Sequence, residues 1–141
     1  MAPETAGYPG TPLPRKLGIR DGHRVLLAGA PADFDLGDLA SVDLHDVDVQ
    51  RRAGATPYDV ILGFTPDHRT LARRFPDLAR RLVTNGGLWI AWPKRSSGVP
   101  TDLDENIVRE FGLASGLVDN KVCAVDETWS GLRFVVRLRD R

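Results

Sequence analysis

Two cationic side chains and two hydroxyls follow an apolar segment in the second half of the sequence. Lys94, Arg95, Ser96 and Ser97 come directly after LWIAWP, and Gly98 follows them. Cations and hydroxyls beside a glycine supply the donors that bind phosphates and carboxylates. We therefore single out this loop as a candidate anion-binding site. The alternative is a solvated loop between two secondary-structure elements, since such loops are usually polar.

Polar residues also follow two earlier apolar segments. Gly29 and Asp33 come after RVLLA, and Thr65 and Asp67 come after VILGF. Ligands of open α/β sheets bind in a crevice beyond the carboxyl ends of the strands. If these segments are parallel strands, the four residues and the loop at 94–98 line one crevice. They are the candidate ligand-binding residues of the sequence.

The other side chains that could carry chemistry form no catalytic or metal-binding motif. The three histidines are scattered and lack the spacing of metal ligands. The lone cysteine, Cys123, lies in an apolar segment, which favours a small core residue. A single cysteine forms no internal disulfide. We predict no catalytic residue and no metal site.

The apolar segments predict a sheet that positions these residues. Short apolar segments bounded by Gly and Pro are typical of strands buried on both faces. Amphipathic helices are predicted over 67–83 and from Thr101 onwards, the second beginning with a capping box of Thr101 and Asp104. The predicted strands span 23–31, 47–50, 58–66, 87–94, 121–129 and 131–139.

Glycine and proline predict where these elements bend or end. Pro76 should kink or split the first helix, because it removes one backbone donor. The segment 85–87, Asn-Gly-Gly, should end that helix with positive φ. Gly112 or Gly116 should end the second helix, and Ser130 with Gly131 should form the turn between the last two strands.

Alternation of strands and helices predicts the fold class. It is an α/β fold, a single Rossmann-like three-layer domain whose mostly parallel sheet is closed by a C-terminal antiparallel hairpin. The length of 141 residues suits one domain. We expect residues 1–14 to form a flexible tail and residues 15–141 to form the domain. With no signal sequence and no apolar run near the ~20 residues of a membrane span, the expected location is cytoplasmic.

The charge of the chain argues against nucleic acid and anionic membranes as partners. Nineteen basic residues balance nineteen acidic ones, so the net charge is zero. Arginines are frequent in the first predicted helix but lie beside its apolar stripe, which is typical of a solvated face. These arginines are Arg69, Arg73, Arg74, Arg80 and Arg81.

Several segments resemble known families. The strand order with its closing hairpin resembles the Rossmann-like S-adenosylmethionine methyltransferases. Over residues 11 to 139 the chain more narrowly resembles a family of small bacterial proteins, Domain of Unknown Function 3052. That resemblance implies a degenerate methyltransferase-like fold and no particular activity. It is carried by TPLPRKLGI, PYDVILGF, LWIAWPKRSSGVPTDL and KVCAVDETWSGLRFV.

The turn after the first strand departs from the methyltransferase pattern. A GxGxxG template laid on Gly29 has Pro31 and Phe34 where the other glycines belong, and proline there adds bulk near the ligand. The acidic residue expected after the second strand is replaced by 50–52, Gln-Arg-Arg. Its two arginines either meet a phosphate or cap a surface strand. We predict no cofactor, with S-adenosylmethionine or a nucleotide as the alternative.

Three hypotheses for function follow. The leading one is a binding or regulatory module that has lost catalysis. The alternative is an enzyme, either a divergent S-adenosylmethionine-dependent methyltransferase or one acting on a nucleotide-like anion through Lys94 and Arg95. The third is an adaptor that binds a protein partner through Trp129 and Ser130 of the hairpin.

Overall fold

A six-stranded β-sheet forms the centre of the protein. The computed structural model describes residues 10–141. The strands are β1 Arg24–Ala28, β2 Asp48–Gln50, β3 Tyr58–Phe64, β4 Leu82–Pro93, β5 Leu117–Ala124 and β6 Trp129–Val136. Their order across the sheet is β2-β1-β3-β4-β6-β5, and β6 alone runs antiparallel to its neighbours. The predicted Rossmann-like fold, with a parallel sheet and a closing hairpin, is confirmed.

The sheet separates two apolar clusters, one on each face. Val60 of β3 belongs to the first cluster and its neighbour Ile61 to the second, because successive side chains of a strand point to opposite faces. Trp89 and Trp92 are likewise on opposite faces, as their odd spacing predicts. The indole Nε1 of Trp89 also donates a 3.0 Å hydrogen bond to the carbonyl oxygen of Leu17.

The two faces are covered in different ways. The helices are α1 Leu13–Lys16, α2 His68–Arg80 and α3 Glu105–Ala114. Helices α2 and α3 pack on the face of Trp92, whereas α1 and the segment 29–47 pack on the face of Trp89. That segment contains only a short 3₁₀ turn at Ala40–Val42. Helix α1 begins inside the predicted tail of residues 1–14, of which residues 1–9 lie outside the described residues.

Helix α2 differs from its prediction at Pro76 and at its end. Pro76 does not split the helix, because it lies on the exposed side, where water can bind the carbonyl of Ala72 that proline leaves free. The helix ends at Arg80, and residues 85–87 belong to β4 without positive φ. Pairing with β3 extends β4 back to Leu82.

Helix α3 begins with a different cap from the predicted one. The carboxylate of Asp104 accepts the backbone N–H of Ile107 at 2.9 Å, so Asp104 itself is the N-cap. Gly112 lies inside this helix, whereas Gly116, with φ of +95°, follows its end as predicted.

The hairpin turn also lies earlier than predicted. The carboxylate of Asp126 accepts the backbone N–H groups of Thr128 and Trp129, at 2.8 and 2.9 Å. These bonds close the turn over residues 125–128. Residues 130 and 131, predicted as the turn, are therefore inside β6.

Candidate functional site at the carboxyl edge of the sheet

Loops from three neighbouring strands meet at the carboxyl edge of β1, β3 and β4. The loop after β4 is held against the loop after β3 by two hydrogen bonds. The hydroxyl of Thr101 donates to the carbonyl of Pro66, and the backbone N–H of His68 donates to the carboxylate of Asp102, both at 2.8 Å. The structure thus brings the second and third predicted loops together.

A cleft of about 570 Å³ lies between the end of β4, the loop that follows it and the first turn of α3. Lys94 and Arg95 form part of its wall, and Ser130 of β6 lines it as well. Trp92 and Leu103, both nearly buried, supply its apolar part. Two predicted ligand-binding residues and one residue predicted to bind a partner therefore surround one cavity.

The charged groups of this cleft differ in their partners. Its two carboxylates have partners in α3, since Asp104 caps that helix and Glu105 forms a 2.6 Å ion pair with Arg109. By contrast, among residues 10–141 no carboxylate lies within 4.0 Å of the Lys94 ammonium or the Arg95 guanidinium. Two cations without carboxylate partners favour an anionic ligand.

Ser96 does not join these cations. It is exposed and does not line the cleft. The neighbouring Ser97 closes a 3₁₀ turn instead, its hydroxyl donating to the carbonyl of Lys94 at 2.7 Å. This turn fixes the backbone of the loop, so that Lys94 and Arg95 follow the end of β4 in a defined conformation.

A guanidinium covers the turn after β1. Gly29 has φ of +70°, and a Cβ placed on it would overlap Nη1 of Arg74. The same Nη1 donates to the carbonyl of Phe64 at the end of β3. Burial, together with the charge of Arg73, lowers the pKa of Arg74. Arg74 departs from the solvated arginine face predicted on α2, because its side chain is partly buried and donates to the end of β3.

Thr65 and Asp67 hold the structure of the neighbouring loop. Thr65 is fully buried, and both its backbone N–H and its hydroxyl donate to the carbonyl of Ala91, at 2.8 and 2.9 Å. Asp67 caps α2 and accepts the backbone N–H of Thr70 at 2.8 Å, which lowers the pKa of its carboxyl. Both side chains therefore have structural partners at positions predicted to bind a ligand.

Asp33 lies in a second cavity, of about 350 Å³, between the segment after β1 and the hairpin turn. Trp129, which also lines it, is half-buried and packs edge to face on Phe64 at 5.1 Å between ring centroids. The indole is therefore partly committed to the core and not a fully exposed contact surface. Arg51 donates to the carbonyls of Pro31 and Phe34, at 3.3 and 2.8 Å, so it ties this segment to the end of β2.

The turn after β1 does not fit the cofactor of methyltransferases in the usual way. The space in front of Gly29, where backbone and ligand approach each other in such folds, holds the Arg74 guanidinium. Within the described segment 29–47 no α-helix begins directly after β1, so a helix N-terminus that would face a ligand is missing there. At the end of β2, Gln50 accepts a hydrogen bond from the hydroxyl of Tyr58.

Comparison with solved structures places these features in a wider fold class. The chain is similar to a TehB-like SAM-dependent methyltransferase from Corynebacterium glutamicum, with a TM-score of 0.61 and 14% identity over 93% of this chain and 90% of that one. It is also similar to a ribosomal protein L11 methylase from Lactobacillus delbrueckii subsp. bulgaricus, with a TM-score of 0.53 and 13% identity over 89% and 74% of the two chains. A methyltransferase from Pyrococcus furiosus gives 0.50 and 14% over 95% and 86%. No protein-family model and no curated protein matches the sequence. At these identities the similarity shows a methyltransferase-like fold.

Two features of the site were not predicted from the sequence, namely the position of Arg74 over the turn after β1 and the cleft at Lys94. Arg74 is one of several arginines beside the apolar stripe of α2, and no local signal separates it from the others. The cleft at Lys94 needs the first turn of α3, whose approach to β4 depends on packing.

In the described part of the chain, no helix is long and apolar enough to cross a membrane.

Proposed function

We propose that this domain binds a small anionic ligand of nucleotide type in the cleft beside Lys94 and Arg95. The observation that carries the proposal is a cavity at the carboxyl edge of a methyltransferase-like sheet whose cations have no carboxylate partner among residues 10–141. Lys94 supplies a flexible ammonium, and Arg95 supplies a guanidinium that can hold two oxygens of a phosphate or carboxylate.

The apolar part of the cleft supports a ligand with an organic group besides its charge. Trp92 and Leu103 line the same cleft as the cations, and both are buried. A volume of about 570 Å³ is within the range of small-molecule sites, roughly 300–1,000 Å³. A nucleotide combines both properties, since its phosphates are anionic and its base is largely apolar on its faces.

Calorimetric titration tests this function. The ligands are ATP and NADP, which carry phosphates, and S-adenosylmethionine and its demethylated product, whose anionic group is a carboxylate, each added to the wild-type protein. We expect one of them to bind, and the double variant Lys94→Ala/Arg95→Ala to weaken that binding about 10- to 100-fold, as loss of charge-assisted hydrogen bonds does. The control Lys121→Ala/Arg139→Ala removes the same charge from exposed positions and should bind like the wild type.

Two results would contradict the proposal. In the first, a ligand binds equally well to the Lys94→Ala/Arg95→Ala variant, which places its site elsewhere. In the second, none of the four ligands binds the wild-type protein. That second result would support the hypothesis of a module that works through a protein partner.

Methyl transfer is a second candidate, favoured by the similarity of the fold to solved methyltransferases. Its test is transfer of a labelled methyl group from S-adenosylmethionine to components of a cell extract. Transfer would make the domain a divergent enzyme in spite of Arg74 at Gly29. Binding without transfer would instead support a module that keeps a ligand site and lacks catalysis.

A further inference from the structure

Arg133 of β6 is half-buried and lines a cavity at the amino ends of the parallel strands, whereas the cleft at Lys94 lies at their carboxyl ends. The guanidinium of Arg133 lies against the backbone of Gly87 in β4, where a Cβ would overlap its Nε. The guanidinium occupies the space beside Gly87 that a side chain at this position would need, a close approach of the kind that strand glycines often mark. The Asn-Gly-Gly segment thus makes room for a cation instead of ending a helix.

Arg133 has few partners for a group with five N–H donors. Its one side-chain hydrogen bond among the described residues goes from Nη1 to the amide oxygen of Asn120, and it is long, at 3.4 Å. No carboxylate of residues 10–141 lies within 4.0 Å of it. Burial and the charge of Arg141 lower the pKa of Arg133. A guanidinium taken out of water without a counter-ion is unfavourable.

A cavity of about 350 Å³ opens in front of this arginine. Arg20, His23 and Asn85 line it and offer further hydrogen-bond donors. The lining also holds a carboxylate, Asp59, whose Oδ2 accepts the backbone N–H of Arg24 at 2.8 Å and which forms no ion pair with Arg20 or Arg133.

We propose that this cavity, formed by Arg133, Arg20, His23 and Asn85, is a second ligand site that binds a phosphate group. The guanidinium of Arg133, in strand β6, donates hydrogen bonds to the anion. The guanidinium of Arg20, in the loop after α1, also donates to it. The shared chemistry is a phosphate monoanion or dianion, free or carried on a small organic molecule. The cavity volume has room for a phosphate and a sugar-sized group. This site is separate from the proposed nucleotide cleft and does not depend on it.

Heteronuclear NMR titration with inorganic phosphate tests the site on the full chain. Sodium chloride at matched ionic strength serves as the reference, because general screening also shifts resonances. We expect saturable shifts of the backbone amides of Gly18, Asn85 and Gly87. The variant Arg20→Gln, at an exposed position, should bind phosphate about 10-fold more weakly or worse, and Arg133→Gln should lose binding.

Control variants separate this site from general attraction to arginine. Arg137→Gln, also in the C-terminal segment but not lining the cavity, should bind phosphate as the wild type does. Lys94→Ala/Arg95→Ala should also keep phosphate binding at this site, so failure of the nucleotide cleft and failure of this site give different results. If Arg133→Gln does not fold, Arg20→Gln and the amide shifts still decide the question.

Parallel titrations distinguish the possible sources of the phosphate. Ribose 5-phosphate and AMP are compared with inorganic phosphate, and tighter binding of one of them identifies the organic group. The proposal is wrong if phosphate shifts no amide near the cavity, or if the Arg20→Gln variant binds it with unchanged affinity. Equal shifts with phosphate and chloride would also overturn it.

Discussion

At Gly29 two different constraints act on one position. Its φ of +70° is a conformation that residues with a side chain adopt at a cost, and the guanidinium of Arg74 fills the space in front of it. The hydrogen bond from Arg74 to the Phe64 carbonyl joins α2 to the end of β3 over this turn. Each constraint makes its own contribution to the free energy of unfolding, and substitutions can measure the two contributions separately.

We predict that Gly29→Ala lowers the free energy of unfolding by more than positive φ alone explains. Positive φ costs an alanine about 1–2 kcal/mol. The new methyl group also displaces the end of the Arg74 side chain from the Phe64 carbonyl, and losing that part-buried hydrogen bond adds about 0.5–1.5 kcal/mol. Urea unfolding followed by circular dichroism measures the sum.

Gly22→Ala and Arg74→Met are the matched comparisons for this prediction. Gly22 has φ of +76°, and a Cβ placed on it would have no atom within 4 Å, so Gly22→Ala should show the backbone cost alone. In the Arg74→Met background, Gly29→Ala should cost about as much as Gly22→Ala does. An excess that persists in that background would show that Arg74 is not its cause.

At the scale of elements, α3 packs closely on the sheet because position 112 of the helix is a glycine. A Cβ on Gly112 would overlap Cε1 of Phe134, a fully buried ring of β6. The helix therefore approaches β6 more closely than an alanine would allow. The first turn of the same helix lines the cleft beside Lys94 through Asp104 and Glu105.

We predict that Gly112→Ala destabilises the protein, although alanine favours helices by about 1 kcal/mol over glycine. The methyl group must displace either α3 or the packed ring, and overpacking of this kind costs about 1–3 kcal/mol. Thermal unfolding measures the change. Glu110→Ala, at an exposed position of the same helix, should have a small effect, and a stabilised Gly112→Ala variant would refute the close packing.

At the scale of the whole molecule, the two apolar clusters share one sheet. Trp89 belongs to one cluster and Trp92 to the other, so each indole is on its own side of β4. The bond from Trp89 to the Leu17 carbonyl connects the end of α1 to this sheet. Loss of either cluster should therefore unfold both.

We predict that Trp89→Phe lowers stability by about 2–4 kcal/mol without separating the unfolding of the two faces. The variant loses a buried hydrogen bond and leaves a cavity. Circular dichroism and the fluorescence of Trp92 and Trp129 should give one coincident urea transition. Two separate transitions would mean that the faces fold independently of each other.

Much of the architecture could be predicted from the sequence because it depends on local patterns. The apolar segments at 24–28 and 58–64 are strands in the structure. The link between the last two strands is short, which allows only antiparallel pairing, although it lies at 125–128 and not at 130–131 as predicted. The amphipathic segments that begin near Asp67 and Thr101 are helices, but their N-caps are Asp67 and Asp104, positions predicted as a ligand-binding residue and as the second member of a capping box. Element ends were less predictable, as at 85–87, because strand pairing overrode the turn preference of Asn-Gly-Gly.

The sequence by itself determined the class of fold and the location of Lys94 and Arg95 in a loop directly after a strand. Only the tertiary structure decided which polar groups remain without partners. The hydroxyl of Thr65 donates to the carbonyl of Ala91, and the carboxylate of Asp67 caps its own helix. The guanidinium of Arg74 donates to the carbonyl of Phe64, whereas that of Arg133 lies against the backbone of Gly87 at the other end of the strands. The physical reason is that periodicity fixes which face a residue occupies, whereas the length and direction of a long side chain are fixed by neighbours distant in sequence.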